Sequence, residues 1–346
     1  MFWSGGLRRL RRLNSWASAY EAELCVITGY RGEDLVFAWP LMKSRIGPLT
    51  ALRCMSEPHG QYGGVLVAPD QFADAWLAAA TAVVRQIGGI DIIRLRHVRE
   101  DSAAAPYLKR HFRQSNLGEA APFLDLSAFK DEAAYDRRYS SSQRKRRKKI
   151  RKGLEEDFGP VAFELLTAGP GLVCALREAI AEKCRWIDSR GRHNRILGCP
   201  DLPGFLERLP VSRGSAVKLV ISRMTAGGRP VAWEIGLRRG RSHFCFITAH
   251  VNALDNYSPA RLHMDLSQRR ALNDGMSTFD LMVPTDSYKD SWCSGRTATL
   301  DYHLPLTPLG RLYGVGYLEQ LRPRLRQAYY RLPPDVLRLL KPIIGH

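Results

Sequence analysis

Apolar and polar residues alternate in short runs along most of the chain, and three of these runs follow one another closely. The segments 216–225, 229–240 and 242–251 are rich in Val, Ile, Phe and Trp, and only short glycine-containing turns separate them. Runs of this composition joined by such turns are typical of antiparallel strands. The pattern therefore predicts a three-stranded meander in the second half of the chain.

A helix and a further strand are predicted after this meander. The helix covers 258–275, with Ser258 as its N-cap, Pro259 at the first helical position and Gly275 closing it. The strand covers 277–283. The order is therefore meander, helix, strand.

The first third of the chain also mixes strands and helices. The segments 22–30 and 34–45 flank a turn-rich tetrapeptide and predict a hairpin. A helix is predicted over 71–88, where paired glycines end it, and strands are predicted at 90–98 and 121–129.

A strongly basic run lies between the two strand-rich regions. The segment 137–152 contains ten Lys or Arg residues and no acid. The sparse apolar residues nearby form two pairs, each four residues apart, Tyr135 with Tyr139 and Ile150 with Leu154, as on a helix face. The run is consistent with a nucleic-acid arm, a membrane-binding patch or the solvated face of a helix in an enzyme.

Composition limits these choices only in part. The chain has 346 residues, a formal net charge of +18 and 45% apolar residues, which suits two packed domains or one long domain with an appendage. The charge implies an anionic partner, such as nucleic acid, an acidic membrane surface or a phosphate-bearing ligand. The longest apolar run, 72–84, is too short to cross a bilayer, and no signal peptide is evident, so we expect a cytoplasmic protein.

The seven cysteines are scattered and form no Cys-x-x-Cys pair. This distribution indicates reduced thiols. Cys184 and Cys199 flank His193, but the spacing fits no established ligand pattern. We therefore predict no metal site.

The start of the 258–275 helix carries the first chemical hypothesis. A helix start has backbone N–H groups without intrahelical partners and the positive end of the helix dipole, and both favour phosphate. Ala260 permits close approach of a ligand, and Arg261 adds a charge. The alternative is an ordinary helix start that binds nothing.

Several motifs together carry a family resemblance. They are "SSSQRKRRKKIRKGLEED", "CRW" at 184–186, "GRPVAWEIGL", "YSPARLHMDL" and "STFDLMVPTDSYKDSW". From about Tyr139 to Trp292 the chain resembles the CelD/BcsL-like acetyltransferase family of the GNAT superfamily. Two features depart from the family pattern: Ala260 stands where Gly is usual, and "TAHVNALD" stands where an acid often follows the strand.

The resemblance implies a mixed α/β fold with two GNAT-like halves in tandem, each a mostly antiparallel sheet flanked by helices. The expected divisions are an N-terminal half with the substrate cleft at 1–130, a cofactor-binding half at 131–305 and a helical basic tail at 306–346. The expected activity is transfer of an acetyl or other acyl group from acyl-CoA to an amine or hydroxyl. The expected acceptors are a polysaccharide, a cell-envelope precursor or a small amine.

The resemblance also implies site residues. Acyl-CoA would contact Tyr257, Ser258, Ala260 and Arg261. The candidate catalytic residues are Glu234, His250, Asp280 and Lys289. The candidate substrate-binding residues are Trp186, Tyr288, Trp292 and, at a cleft between the halves, Tyr62.

Each of these residues also has a purely structural interpretation. Glu234 would face solvent, and His250 would be an ordinary loop histidine. Asp280 would cap the following turn or pair with Lys289. The tryptophans would line the core.

Other functions stay open. One is a Fem-type aminoacyl transferase using aminoacyl-tRNA, which would suit the basic helix. Another is a non-catalytic protein bound to an envelope or membrane partner. The basic run is predicted to be a solvated, cleft-facing helix, with an anionic membrane surface at the inner face of the membrane and tRNA as the alternative partners.

Overall fold

A computed structural model gives the fold, and its described residues are 23–55, 57, 60–190, 197, 202–209 and 217–330. Within these ranges no helix is both long and apolar enough to cross a membrane. His193 and Cys199 lie outside the described residues, as do the first 22 residues and the last 16 of the tail.

The first part of the chain is mostly strands, as the alternating pattern predicts. In chain order the elements are β1 (Glu23–Arg31), β2 (Asp34–Ile46), β3 (Leu49–Cys54), β4 (Leu66–Val67), α1 (Ala73–Ile87), β5 (Ile92–Arg99), α2 (Ala105–His111) and β6 (Arg113–Asp125).

The rest of the described chain alternates helices with strands and ends in helices. The elements are α3 (Glu132–Arg137), α4 (Ser141–Phe158), β7 (Val161–Leu166), α5 (Gly169–Ser189), α6 (Leu202–Arg208), β8 (Val217–Ala226), β9 (Arg229–Arg239), β10 (Ser242–His250), α7 (Pro259–Asn273), β11 (Thr278–Asp280), β12 (Gly295–Pro305), α8 (Pro308–Arg311), a π-helical stretch (Leu312–Leu321) and α9 (Arg322–Tyr330).

The chain divides into two compact units, and the boundaries differ from those predicted. Of the described residues, those up to 121 and from 297 onward form the first unit, and 122–296 form the second. The predicted boundary at 130 lies nine residues late. The last strand also falls in the first unit, because β12 pairs antiparallel with β5 there.

The sheet of the first unit has the strand order β1-β2-β3-β5-β12-β6. The predicted hairpin is confirmed, since β1 and β2 pair antiparallel around a tight turn. Of the strand pairs of this unit whose residue-by-residue register is described, β3 with β5 is parallel and the others are antiparallel. Trp39, Leu77 and Tyr302 are fully or almost fully buried in its core, where α1 packs.

The sheet of the second unit has the order β6-β11-β10-β9-β8-β7, with the last four residues of β6 at one end. The predicted meander is confirmed, because β8, β9 and β10 pair antiparallel in sequence. The strand after α7 pairs parallel to β10. The helices α5 and α7 both pack against meander strands. The mixed α/β fold with mostly antiparallel sheets is therefore confirmed.

The basic segment contains the end of α3 and most of α4, with a break between the two helices. The break falls at Ser140, whose hydroxyl accepts from the Gln143 N–H while the Gln143 side chain accepts from the Ser140 N–H. This reciprocal pair is a capping box, which satisfies two amides and fixes the start of α4. Leu154 on α4 is fully buried against the sheet of the second unit.

Candidate active site

The start of α7 differs in detail from the predicted N-cap. Ser258 lies in the left-handed region, with φ 48° and ψ 49°, and its side chain caps no amide. Ser258 is the N-cap residue as predicted, but its hydroxyl makes no capping bond, because an N-cap serine needs an extended backbone for its hydroxyl to reach the next turn. Pro259 does occupy the first helical position.

The first turn of α7 keeps an exposed amide. The N–H groups of Arg261 and Leu262 donate to the Ser258 carbonyl at 3.0 and 3.3 Å. Ala260 is exposed, and its N–H has no acceptor within the described part of the chain. Ala260 is absent from the residues with positive φ, so alanine fits where the related family usually has glycine.

The strand β10 separates from β11 before its own end, and the turn Asn252–Tyr257 then leads from β10 into α7. The parallel pairing of β10 with β11 runs from Ser242/Thr278 to Phe244/Asp280 and ends there. The strand β10 continues to His250, whereas the chain after β11 turns at Met282, with φ 57°. An opening between parallel strands beside a helix start is a common place for a ligand.

A cleft of about 250 Å³ lies beside α7 in the second unit. Its lining residues come from α4 and the residue pair before it, from the first turns of α7 and from the segment after β11. They are Tyr139, Gln143, Arg146, Arg147, Ile150, Arg261, Leu262, Asp265, Ser291 and Trp292. Two predicted residues, Arg261 and Trp292, therefore meet in one cleft. Within the described residues, the guanidinium groups of Arg146 and Arg261 have no ion-pair partner, so the cleft carries unneutralised positive charge.

Arg147 joins the floor of the cleft to the rest of the second unit. Its guanidinium lies 3.4 Å from the Tyr139 ring centre and 4.6 Å from that of Trp292, and it pairs with Asp265. Asp265 also accepts from Arg269, at 2.9 Å. Stacking of guanidinium on aromatic rings and a shared carboxylate hold the cleft wall in one arrangement.

His250 is the last residue of β10, six residues beyond the part that pairs with β11. Its Nε2 lies 2.7 Å from Oδ1 of Asp255, and Arg190 approaches the other carboxylate oxygen at 4.0 Å. When Nε2–H donates to Asp255, Nδ1 is left as a proton acceptor. His250 is partly exposed, so an acceptor substrate can reach it.

Glu234 does not face solvent, contrary to its structural interpretation above. It is 1% exposed, and its two oxygens accept from His243 at 2.5 Å and from Ser267 at 2.6 Å. Burial raises the pKa of Glu234, whereas His243, His263 and Ser267 lower it. Their combined effect is larger than that of burial, so the pKa lies below its ordinary value. A buried carboxylate with both oxygens engaged cannot reach a substrate, so we exclude Glu234 as the base.

Asp280 and Lys289 brace the turn after β11. Asp280 is 2% exposed, and its Oδ1 accepts from the Met282 N–H at 2.7 Å. The Lys289 ammonium is buried and donates to the carbonyls of Leu281, Met282 and Pro284 at 2.7 to 2.9 Å. Lys289 therefore does not contact substrate as predicted, because its three donors already hold the chain. Asp280 shows the turn-capping arrangement.

Three further predicted residues of the second unit, Tyr257, Trp186 and Tyr288, each contact a different part of that unit. The Tyr257 hydroxyl donates to Asp157 at the end of α4, at 2.5 Å. The Trp186 ring lies under two cations, Lys183 and Arg190, each at 4.4 Å. Tyr288 is 48% exposed and bonds Thr248 on β10.

Tyr62 belongs to the first unit, where the Arg99 guanidinium lies over its ring at 5.1 Å. Its predicted place in a cleft between the halves stays a prediction.

Of the residues with a role in the site, sequence reasoning did not single out Tyr139, Arg146, Arg147 or Asp255. The first three lie in the basic run, where no local signal separates the residues that face the cleft from those that face solvent. Asp255 is five residues from His250 and has the chemistry of an orienting carboxylate, so it was within reach of a sequence argument.

Comparison with known proteins identifies the second unit. Residues 140–290 match the acetyltransferase (GNAT) domain family. This range contains the meander, the opening, α7 and most of the cleft. No curated protein matches the chain. The chain thus carries a GNAT acetyltransferase domain and is a transferase.

Solved structures extend the fold similarity to most of the chain. FemX is 11% identical, covers 87% of this chain and 92% of its own, and superposes with a TM-score of 0.56. The C-terminal domain of a proposed lysylphosphatidylglycerol synthetase from Agrobacterium fabrum is 10% identical, with coverages of 85% and 87% and a TM-score of 0.57. A protein of unknown function from Bacteroides thetaiotaomicron is 10% identical, with coverages of 84% and 88% and a TM-score of 0.54. At these identities the similarity concerns the fold alone.

Proposed function

We propose that the protein transfers an acyl group from acyl-CoA to an amine or hydroxyl, in the manner of the CelD/BcsL-like branch of GNAT acetyltransferases. The observation that carries the proposal is the first turn of α7, which has no side-chain cap and borders the cleft, in a chain where β10 separates from β11 before its end. That arrangement offers an anion site and a slot for an extended chain at the same place.

The first turn of α7 and the cleft beside it bind the phosphates of the donor. The Ala260 N–H donates to the pyrophosphate, and the Arg261 side chain adds a mobile positive charge. Arg146 supplies a second guanidinium from α4 across the same cleft. Tyr139 and Trp292, stacked with Arg147, form the floor of the cleft. An anionic group matches this lining.

The acyl end of the donor enters the opening between the two strands. There the acceptor amine or hydroxyl attacks the thioester carbonyl, and the carbon–sulfur bond breaks as the new bond to nitrogen or oxygen forms. His250 accepts the acceptor's proton on Nδ1, and Asp255 holds the ring and stabilises the resulting positive charge. The thiolate leaves as CoA and takes up a proton. Trp186 and Tyr288 flank the acceptor.

Calorimetric titration with CoA tests the phosphate site. Ala260→Asp should weaken CoA binding at least tenfold, about 1.4 kcal/mol, because its carboxylate repels the pyrophosphate. Ala133→Asp is the matched control, since Ala133 is also an exposed alanine in the first turn of a helix of the second unit. Equal CoA affinity for wild type and Ala260→Asp would move the donor site away from α7.

A second candidate is aminoacyl transfer from aminoacyl-tRNA. The fold similarity to FemX, which spans 87% of this chain, favours it over other transferase reactions. The two candidates differ in the donor, so the same titration with charged tRNA separates them. Binding of charged tRNA without binding of CoA would support the second candidate and exclude the first.

A further inference from the structure

The basic residues of α4 are sorted by type around the helix. The arginines are engaged by the protein: Arg144 donates to the carbonyl of Tyr139, Arg147 is stacked in the cleft, and Arg151 pairs with Glu155 at 2.9 Å. Arg146 lines the cleft. The lysines lie elsewhere on the helix, and all are exposed.

All four lysines of α4 form one stripe, which we call the lysine stripe: Lys145, Lys148, Lys149 and Lys152. Their spacing of three, one and three residues places them on one face of the helix, over a length of about 10 Å. Only Lys152 has an ion-pair partner among the described residues, Glu156 at 3.3 Å. The stripe therefore presents at least three free ammonium groups to solvent.

The stripe is held on a fixed support. Leu154 on the inner face of α4 is fully buried, and the capping box at Ser140 fixes its first turn. Arg147 and Asp265 tie α4 to α7. A row of charges on an anchored helix loses little order when it meets a flat anionic surface, so this support favours docking.

We infer that the lysine stripe docks the protein on an anionic lipid surface. Lysine is a compact point charge that suits a diffuse layer of headgroup phosphates, whereas nucleic-acid recognition relies on the planar fork of arginine and on stacked aromatics. On α4, Arg144 and Arg147 contact other parts of the protein, Arg146 lines the cleft, and the stripe itself contains only lysines and no aromatic residue. A stripe made only of lysines therefore favours an anionic lipid surface over RNA as the partner.

Docking through the stripe also places the cleft close to the lipid surface. Gln143, Arg146 and Ile150 on the same helix line the cleft, so the cleft and the stripe are separated by about one helix diameter, 10–12 Å. The inference itself does not depend on the proposed reaction, because it concerns only the surface of α4.

Co-sedimentation of the full-length protein with vesicles tests the inference. We expect binding to vesicles of 70% phosphatidylcholine and 30% phosphatidylglycerol, and none to pure phosphatidylcholine. The triple variant Lys145→Gln, Lys148→Gln, Lys149→Gln should lose on the order of 100-fold in partition coefficient, about fivefold for each lysine. Binding of the wild type should also fall steeply between 50 and 500 mM salt.

The control triple variant changes three exposed lysines outside the stripe: Lys109→Gln, Lys130→Gln and Lys218→Gln. It lowers the net charge equally, so it should bind nearly as well as wild type. Equal losses in both triple variants would show a general charge effect and overturn the inference. So would an undiminished affinity of the stripe variant, or a wild type that binds a 20-base-pair RNA duplex more tightly than the vesicles.

Discussion

At the residue scale, the second unit buries a polar cluster that the site does not use. Glu234, His243 and Ser267 share hydrogen bonds in an almost water-free position, and His263 bonds Ser222 at 3.0 Å nearby. Buried polar groups of this kind are stabilising only while each has its partner in the right protonation state. The cluster should therefore make stability depend on pH.

His263 sets the direction of that dependence. Burial lowers its pKa from 6.5 to about 4, although Glu234 opposes the shift. Because the unfolded chain takes up the proton first, stability is full above pH 6.5 and falls as the pH drops toward 4. Between pH 7 and pH 5 this group should cost about 2 kcal/mol of unfolding free energy.

Urea denaturation of wild type and His263→Gln at both pH values measures this cost. The variant should lose about 2 kcal/mol less than wild type between pH 7 and pH 5. The lowered pKa of Glu234 acts only below 4.5, outside this window. His111→Gln, which changes an exposed histidine, should keep the wild-type difference; identical pH dependence in all three proteins would contradict the assignment.

His250 is the one predicted base that the structure leaves within reach of a substrate. His250→Gln keeps a hydrogen bond to Asp255 but cannot take a proton, so kcat should fall on the order of 100-fold or more. The dissociation constant for CoA should stay within about twofold, because His250 is not part of the phosphate site. Steady-state turnover assays measure kcat, and calorimetry measures the dissociation constant for CoA. A kcat equal to that of His111→Gln would exclude His250 as the base.

At the element scale, the sequence predicted the elements better than their ends. The meander and the hairpin follow from alternation and turn residues, and the structure has both. The capping box at Ser140 has a readable signature in Ser-x-x-Gln. The left-handed backbone of Ser258 has none, since serine rarely adopts it and the preceding 3₁₀ turn, Asn252–Tyr257, imposes it.

The active-site elements show why motifs alone assign roles poorly. Asp280 and Lys289 belong to one family-like motif, yet both bond to the backbone of the turn that lies between them. Alternation along β9 cannot tell whether Glu234 points to solvent or to a polar cluster under a helix. The cleft is formed mainly by α4 meeting α7, and such a contact between distant segments leaves no trace in local spacing.

At the scale of the whole molecule, the order of strands in space differs from their order in the chain. The first unit has β12 between β5 and β6, although about 170 residues of the second unit intervene in sequence. Local patterns identify β12 as a strand but not its neighbours, which is why the predicted boundary gave it to the wrong half. The second unit, by contrast, is one continuous segment among the described residues.

This difference predicts unequal behaviour of fragments. The fragment 122–296 holds β11, β10, β9, β8 and β7 with their helices, so it should fold alone with one cooperative thermal transition. The fragment 1–121 lacks β12, so no strand lies between β5 and β6. The core residues that pack against Tyr302 of β12 are then exposed. It should show no cooperative transition by circular dichroism.

Adding the peptide 297–330 to the fragment 1–121 supplies the missing strand and should restore that transition, whereas a scrambled peptide of the same composition should not. The requirement arises because each edge of the gap has backbone groups that only β12 satisfies. If the fragment 1–121 melted cooperatively without the peptide, the first unit would not need its second segment, and the division of the chain at 121 and 297 would be wrong.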